Sequence, residues 1–145
     1  EQQQVATELA TQYGVKTIAL YADLSKQNAA EELYQYCVDN ELTVDILVNN
    51  AGVFFFNPYC ETSMKRIELM LNLHMITVAK LTRLFGEQML QRELSAEEQA
   101  QKICRKPLRK GYILNMSSMS AWMAMPGIQT YNATNAFIYT FPKRI

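Results

Sequence analysis

The sequence alternates between short β-rich runs and longer helical patterns, and this alternation constrains the fold more than any other feature. The β-rich runs cover residues 16–22, 44–49 and 112–116. The second run is nearly continuous in apolar residues, which is typical of strands buried on both faces of a parallel sheet. Strands separated by helices are joined by right-handed crossovers. We therefore predict an α/β fold with a doubly wound parallel sheet.

Apolar residues at helical spacing predict two helices in the first third of the chain. The first covers residues 2–13 and ends at Gly14 in a left-handed cap. The second covers about residues 26–39, and Ser25 is its predicted N-terminal cap. The predicted apolar positions are Val5, Leu9 and Tyr13 in the first helix and Ala30, Leu33, Cys37 and Val38 in the second.

The strongest helical pattern covers residues 64–90, with apolar side chains at steps of three and four. Residues 92–111 are polar and charged, and Ser95 with Glu98 forms a capping-box pattern inside them. We predict a surface insertion there, with a short helix starting within it. A last helix is predicted over residues 129–141. The apolar face of the long helix comprises Ile67, Leu71, Met75, Val78, Leu81, Phe85 and Met89.

Composition excludes several classes of function. The 145 residues include 14 Lys+Arg and 14 Asp+Glu, so no basic face is expected to attract nucleic acid or an anionic membrane. One histidine and three scattered cysteines do not give the spacing of a zinc site. No apolar run approaches the roughly 18 residues of a membrane-spanning helix. The sparse, odd number of cysteines favours a reducing compartment, and we expect a cytoplasmic protein.

Polar residues follow each predicted strand, where ligands bind in open parallel sheets. Residues 23–24 follow the first strand, residues 49–52 the second, and Ser117 and Ser118 the third. Tyr131 stands thirteen residues after Ser118, at the start of the last helix. We expect these residues to lie at one edge of the sheet.

In order and separation, these residues resemble the central part of a short-chain dehydrogenase/reductase. The matching elements are Asn-Asn-Ala-Gly at 49–52, Asn-Met-Ser-Ser at 115–118, Tyr131, and Asn72 in the long helix. Taken singly, such a tyrosine is more often a packing residue, and two serines after a strand are usually turn residues. Their shared register over essentially all 145 residues favours the family. The resemblance implies a Rossmann-like fold, NAD or NADP as cofactor, and oxidation or reduction of a secondary alcohol or carbonyl.

The resemblance also implies a role for each residue. Tyr131 would be the general acid and base at the substrate oxygen, and Ser118 would hydrogen-bond the same oxygen. Asn72 would interrupt its helix and hold a water in a proton relay. The implied cofactor-binding residues are Asp23 and Leu24 beside the adenine, and Asn50, Ala51 and Gly52 where the backbone approaches the cofactor.

Asn135 departs from the family pattern, because the family places a lysine four residues after the tyrosine. At about 5 Å and an effective dielectric of about 20, a lysine charge stabilises a phenolate by about 3 kcal/mol. Without it, proton transfer is expected to be impaired, although the Asn135 amide can still hydrogen-bond a ribose hydroxyl. Asn135 is therefore included in the predicted catalytic set.

The five glycines of the chain stand far apart, so these 145 residues contain no glycine-rich phosphate loop. We expect residues 1–145 to be a partial NAD(P)-binding Rossmann-fold domain, incomplete at both ends. It would lack the N-terminal Gly-rich strand-turn-helix and the C-terminal substrate-binding part of the family. Two hypotheses stay open: an NAD(P)-dependent oxidoreductase, and a non-catalytic relative that serves as a binding or oligomerisation scaffold.

The resemblance further implies a small carbonyl or alcohol substrate and a homodimer or homotetramer. Subunits of the family usually pair through the helices that correspond to residues 64–90 and 129–141. The apolar runs 54–56 and 122–125 favour a hydrophobic substrate. For His74, two positions after Asn72, we expect a structural role. The choice between NAD and NADP is left open.

Overall fold

A computed structural model describes residues 2–103 and 111–141 of the chain. Part of the predicted surface insertion, residues 104–110, lies outside these residues. The helices are α1 (Gln2–Tyr13), α2 (Ala29–Asp39), α3 (Met64–Leu71), α4 (Thr77–Ile103) and α5 (Gln129–Thr140), and the strands are β1 (Ile46–Asn49) and β2 (Tyr112–Asn115). A π-helical turn, Asn72–Ile76, joins α3 to α4, and short 3-10 helices cover Tyr59–Glu61 and Met119–Trp122.

Strands β1 and β2 form a parallel pair, so the predicted α/β fold with parallel strands is confirmed. Ile46 is opposite Tyr112 at one end, and Asn49 is opposite Asn115 at the other. The two asparagines therefore mark the carboxyl edge of the sheet, where the loops that carry the predicted site begin.

The predicted burial of the 44–49 strand on both faces is wrong. Leu47 and Ile113 pack under α2 and α4, whereas Ile46 and Val48 point to the other face and are 64% and 51% exposed. The described helices cover only one face of the pair, and this accounts for the difference.

The core lies between α2, α4 and the covered face of the sheet. Phe85 is its centre, and the Tyr34 ring meets it edge-on with 5.2 Å between ring centroids. Ala30, Leu33 and Cys37 face this core as predicted, but Val38 is exposed because it lies on the solvent side of α2. Burial of these apolar side chains gives the main stabilising contribution of the α2–α4 layer.

Residues 16–22 were predicted as a strand, and this prediction is wrong for the described structure. The segment is extended without regular secondary structure, and its apolar residues Ile18, Leu20 and Tyr21 are exposed. No strand lies beside it among residues 2–103 and 111–141, so its backbone lacks the ladder of hydrogen bonds that defines a strand.

Helix α1 is confirmed over residues 2–13, and Gly14 ends it at φ +62°. Its apolar positions Val5, Leu9 and Tyr13 are exposed, and only Ala6 is buried. The apolar stripe therefore has no covering element in the described part of the chain.

Ser25 does not cap α2, contrary to the prediction. The helix begins at Ala29 behind Asn28, which makes no side-chain capping bond. Ser25 instead donates its backbone N–H and its hydroxyl to Asp23 Oδ1, at 3.1 and 2.7 Å. This local Asx turn uses the serine that the sequence pattern assigned to the helix.

The π-helical turn changes which residues of the long helix are buried. Met70, Leu73 and His74 face inward there, whereas the predicted core residue Leu71 is exposed. One extra residue in a helical turn rotates the side chains before it relative to those after it. The regular spacing of Val78, Leu81, Phe85 and Met89 beyond the turn is buried as predicted.

Helix α4 continues past residue 90 to Ile103, and the predicted helix start at Ser95 is wrong. The Ser95 hydroxyl donates to the Gln91 carbonyl within the helix instead of capping a new one. Arg92 also ties α4 to the start of β1, because its guanidinium binds Asp45 Oδ1 at 2.9 Å and the Val44 carbonyl.

The described residues include no membrane-spanning helix and no metal-binding cluster. Over residues 2–103 and 111–141, helices are either too short or too polar to cross a membrane. The same residues contain no cluster of three or more His, Cys, Asp and Glu side chains that could hold a metal ion.

Candidate active site

A cleft of about 310 Å³ opens at the carboxyl edge of the sheet. It is bounded by the loop after β1, the end of β2, the π-helical turn and α5. It brings together the predicted residues Asn50, Ala51, Gly52, Tyr131 and Asn135. The remaining lining residues are Val53, Phe54, His74, Met116, Ser117 and Ile138.

The edge of the cleft is fixed by a pair of asparagines. Asn49 Nδ2 donates to Asn115 Oδ1 across the strands at 2.7 Å, and lies 3.4 Å from Thr82 Oγ1 on α4. Because both side chains are at the same register, they hold the two strand ends side by side. Both residues belong to predicted motifs, but the bond between them was not predicted. Two asparagines at the ends of neighbouring parallel strands were the available signal.

The turn at Gly52 and Val53 is held against His74. The Val53 N–H donates to His74 Nε2 at 2.9 Å. A Cβ at Gly52 would lie 3.2 Å from the same nitrogen, so the backbone passes as close to the ring as a glycine allows. After β1 ends at Asn49, the Asn-Ala-Gly residues therefore form a turn with small side chains on one wall of the cleft.

His74 is 3% exposed, and both of its ring nitrogens are bonded. Its Nδ1 lies 3.0 Å from Thr134 Oγ1, and that hydroxyl is in turn 3.0 Å from the Tyr131 carbonyl. Burial lowers the pKa of His74, since it disfavours the charged imidazolium. No sequence pattern predicts that this residue joins the loop after β1 to α5.

Tyr131 lies at the start of α5 and lines the cleft. The Phe54 ring meets it edge-on with 5.0 Å between centroids, and the His74 ring does so at 5.8 Å. The two contacts hold the phenol ring in place from both sides. The resulting orientation leaves Tyr131 half-buried beside the Gly52 turn.

Asn135 lies one turn after Tyr131 and is 4% exposed. Its side-chain Nδ2 donates to the Tyr131 backbone carbonyl at 3.0 Å. Its own backbone carbonyl accepts a hydrogen bond from the Ser117 hydroxyl at 2.8 Å. The side chain that occupies the lysine position is therefore engaged with the backbone of its own helix. All the residues that line the cleft are uncharged at neutral pH.

The two serines after β2 have different surroundings. Ser117 lines the cleft and is bonded to α5 through Asn135. Ser118 is the N-cap of the 3-10 helix, where its Oγ accepts the Ser120 N–H at 3.2 Å. A serine hydroxyl in this role still has its own proton to donate.

Asn72 begins the π-helical turn. Its carbonyl accepts the N–H of Thr77, five residues on, and its side chain is half-buried. Asn72 is not among the residues that line the cleft. π-helical turns of this kind are frequent at functional sites.

The predicted adenine-side residues lie near a second, smaller cavity of about 100 Å³. Leu24 lines it together with Asn50 and Ala51, which also line the cleft. The Thr77 hydroxyl donates to the Leu24 carbonyl at 2.8 Å, which fixes this loop to α4. Asp23 is exposed beside it, and the hydrogen bonds from Ser25 lower the pKa of its carboxyl.

The apolar run 122–125 was predicted beside the site, but it lines a separate cavity of about 610 Å³. Gln129, Ala133 and Ala136 complete that cavity on another face of α5 from Tyr131. Phe54, from the other apolar run, does line the cleft. The two runs therefore serve different surfaces.

The family model for short chain dehydrogenase matches residues 1–145, and the chain belongs to this family. Among curated relatives, the very-long-chain 3-oxoacyl-CoA reductase of Anas platyrhynchos is 30% identical over 97% of this chain and 41% of its own length. The 17-beta-hydroxysteroid dehydrogenase type 3 of Mus musculus is 29% identical over 99% of this chain and 42% of its own. The chain thus spans about two fifths of the length of these relatives.

A solved structure has the same fold. The short-chain dehydrogenase from Sphingobium yanoikuyae in complex with NADPH superposes with a TM-score of 0.78 at 22% identity. The match covers 96% of this chain and 48% of that one. The described architecture is therefore about half of a Rossmann-type short-chain dehydrogenase fold.

Proposed function

We propose that this chain forms the catalytic cleft of an NAD(P)-dependent oxidoreductase acting on a carbonyl or secondary alcohol. The observation that carries the proposal is that Tyr131 and the bare Gly52–Val53 turn line the same cleft. The Tyr131 phenol can donate a proton to a carbonyl oxygen, and the backbone turn beside it is where we propose the cofactor that carries the hydride to bind. When bound, the nicotinamide cofactor supplies or accepts the hydride.

The residues around the turn fit a dinucleotide. The wall formed by Ala51 and Gly52 has little side-chain bulk, and a Cβ at Gly52 would press on His74. We propose that Asn50, Ala51 and Gly52 bind the cofactor with backbone groups. Leu24 and Asp23 would flank its adenine end, since Leu24 shares the smaller cavity with Asn50 and Ala51. The choice of NAD or NADP is not part of the proposal.

Three side chains would handle the substrate oxygen and its proton. Tyr131 donates the proton to the oxygen during reduction and takes it back during oxidation. Ser118 donates a hydrogen bond to the same oxygen, because its Oγ proton is not needed for its capping role. Asn72 would hold a water that returns protons to the site, at the point where the helix departs from α geometry.

We propose a hydrophobic substrate. Phe54 and Met116 give the cleft an apolar side, and both are substantially exposed. Because the two relatives are a very-long-chain 3-oxoacyl-CoA reductase and a 17-beta-hydroxysteroid dehydrogenase, a very-long-chain 3-oxoacyl-CoA and a 17β-hydroxysteroid are the first compounds to assay.

Two serine variants test the proposed substrate contact. We expect Ser118→Ala to lower kcat about tenfold, the size of one lost hydrogen bond in the transition state. Ser95→Ala is the matched control and should keep kcat within about twofold, because Ser95 is exposed on α4 and its hydroxyl bonds to the Gln91 carbonyl of the same helix. Initial rates of NAD(P)H oxidation measure both. Equal losses in the two variants would count against the proposed role of Ser118.

A second candidate function is a catalytically impaired or non-catalytic relative that acts as a binding or oligomerisation scaffold. The observation that favours it is Asn135, whose buried amide bonds to the Tyr131 carbonyl and brings no charge to the cleft. In that case the wild type shows little or no turnover. The Asn135→Lys variant separates the two candidates, because a restored charge should raise activity only if Tyr131 is the proton donor.

We also propose a homodimer or homotetramer in the cytoplasm. The exposed Trp122 and Met123 beside α5 provide apolar surface suited to subunit contact. The cytoplasmic location is proposed from the sparse, odd number of cysteines in the sequence. Light scattering after size exclusion should give a mass of two or four subunits, and Trp122→Lys should shift it towards one. A monomeric mass for the unmodified protein would exclude the assembly.

A further inference from the structure

His74 is the one histidine of the chain, and it contacts two other elements of the cleft. It lies in the π-helical turn, with one ring nitrogen on the loop after β1 and the other on α5. The imidazole therefore links these three parts of the site through its two nitrogens.

The partners of His74 determine its protonation. The Val53 N–H can only donate, so His74 Nε2 must accept with its lone pair. A neutral imidazole then has its proton on Nδ1, which donates to Thr134 Oγ1. The Thr134 hydroxyl donates a hydrogen bond to the Tyr131 carbonyl. Every donor in this series of hydrogen bonds, which runs from Val53 to Tyr131, therefore has an acceptor.

A protonated ring breaks this arrangement. With hydrogen on both nitrogens, His74 Nε2–H would face the Val53 N–H, and two donors would meet at 2.9 Å. Among the described residues that line the cleft, none is a carboxylate that could compensate the charge, and Tyr131 is the only other one with a titratable side chain. The loop residues 50–53 have no titratable side chain, and Thr134, Asn135 and Ile138 face the site from α5. One helical turn away, Met70 and Val78 are apolar.

We propose that His74 is a positioning residue: in its neutral Nδ1–H form it sets the distance between the Gly52–Val53 turn and Tyr131, and its protonation loosens the cleft. The imidazole fits this task because it offers an acceptor and a donor on opposite sides of a rigid ring. The close approach of Gly52 leaves no space for a bulkier spacer. The effect on catalysis rests on the proposed function, whereas the tautomer and its pH dependence do not.

The pH dependence has a definite sign. Burial holds the pKa of His74 below that of an unfolded histidine, which is about 6.5. Between these two values the unfolded chain binds more protons than the folded one, so the free energy of unfolding falls as the pH falls. The full contribution is present above about pH 6.5. His74→Gln should remove this slope.

Long-range ¹H–¹⁵N spectra of the imidazole test the proposal directly. We expect one ring with the Nδ1–H tautomer at pH 7.5 that becomes protonated at a lower pH than the imidazole of the unfolded chain, and its signals should disappear in His74→Gln, which assigns them. In Thr134→Val the ring should keep this tautomer, because the Val53 N–H still needs an acceptor, but the bond from Nδ1 to α5 is lost. An Nε2–H tautomer, or a ring that titrates as in the unfolded chain, would overturn the proposal whatever the activity.

Kinetics test the positioning role. His74→Leu removes both ring nitrogens without adding a larger ring, so it leaves the Val53 N–H without an acceptor, and we expect about a tenfold rise in the KM for NAD(P)H. The wild type should show the same rise as the pH falls through the titration of His74, whereas His74→Leu should not respond further. Thr134→Val provides the second variant if His74→Leu does not fold. An unchanged KM and pH profile in the folded variants would show that His74 only packs. Loss of turnover in all forms, with the expected tautomer, would reject the proposed function alone.

Discussion

Tyr131→Phe is expected to lower kcat for carbonyl reduction by a factor on the order of 10²–10⁴, the usual contribution of a general acid. The variant removes only the hydroxyl. The ring contacts with Phe54 and His74 should persist, because both are edge-to-face contacts between rings. Binding of NAD(P)H should change little. Steady-state rates with the two proposed substrates, together with a cofactor titration, measure the two effects separately.

A second tyrosine on the same helix serves as control for this variant. Tyr139 contacts Trp122, on the side of the separate apolar cavity. Tyr139→Phe should leave kcat within about twofold of the wild type. If Tyr131→Phe were to retain full kcat while Tyr139→Phe lost it, the assignment of the proton donor would be wrong.

Asn135→Lys is expected to raise carbonyl reductase activity on the order of 100-fold. A lysine about 5 Å from the phenol stabilises developing negative charge on its oxygen by about 3 kcal/mol at an effective dielectric of about 20. The longer side chain can extend into the cleft, because Asn135 lines it. The change also breaks the bond from Asn135 Nδ2 to the Tyr131 carbonyl, so melting temperatures should be recorded beside the rates.

The matched control adds the same charge elsewhere on α5. Thr140 is exposed in the last turn, where its hydroxyl bonds only to backbone carbonyls. Thr140→Lys should leave the rate unchanged. A rate that stays the same in Asn135→Lys would mean that Tyr131 is not the acid or that another cation already serves it. Wild-type cofactor binding without turnover, rescued by Asn135→Lys, would favour the impaired relative.

The fold class could be predicted because its signals are local. Apolar spacing located α1, α2, α4 and α5, and Gly14 ends α1 at a positive φ. The parallel pairing of β1 and β2 follows from the helix between them. Extended structure at residues 16–22 could not be separated from a strand, because a strand depends on a hydrogen-bonding neighbour.

The wrong predictions for the Ser25 cap and for Leu71 concern residues at which local and tertiary contacts compete. Ser25 suits a helix cap and an Asx turn equally well, and the nearby Asp23 favoured the turn. The apolar spacing around Leu71 assumed an uninterrupted α-helix, but the π-helical turn moved Met70 inward instead. The spacing of apolar residues in the sequence does not indicate that this turn contains an extra residue.

The candidate site was predicted in part. Five of the predicted residues line one cleft, because three follow β1 and the other two, Tyr131 and Asn135, lie one turn apart on α5. The Asn49–Asn115 bond depended on strand register, and the contacts of His74 depended on the packing of α5. Such contacts between distant segments have no spacing of their own in the sequence.

Transfer of deuterium from the cofactor to the substrate tests the central claim most directly. The protein is incubated with NADH or NADPH in which both C4 hydrogens of the nicotinamide are deuterium, together with a very-long-chain 3-oxoacyl-CoA, and the alcohol product is analysed by mass spectrometry. We predict one deuterium on the former carbonyl carbon, with little product from Tyr131→Phe. Bound cofactor with no labelled product, in both the wild type and Asn135→Lys, would contradict the assignment of this cleft as an oxidoreductase site.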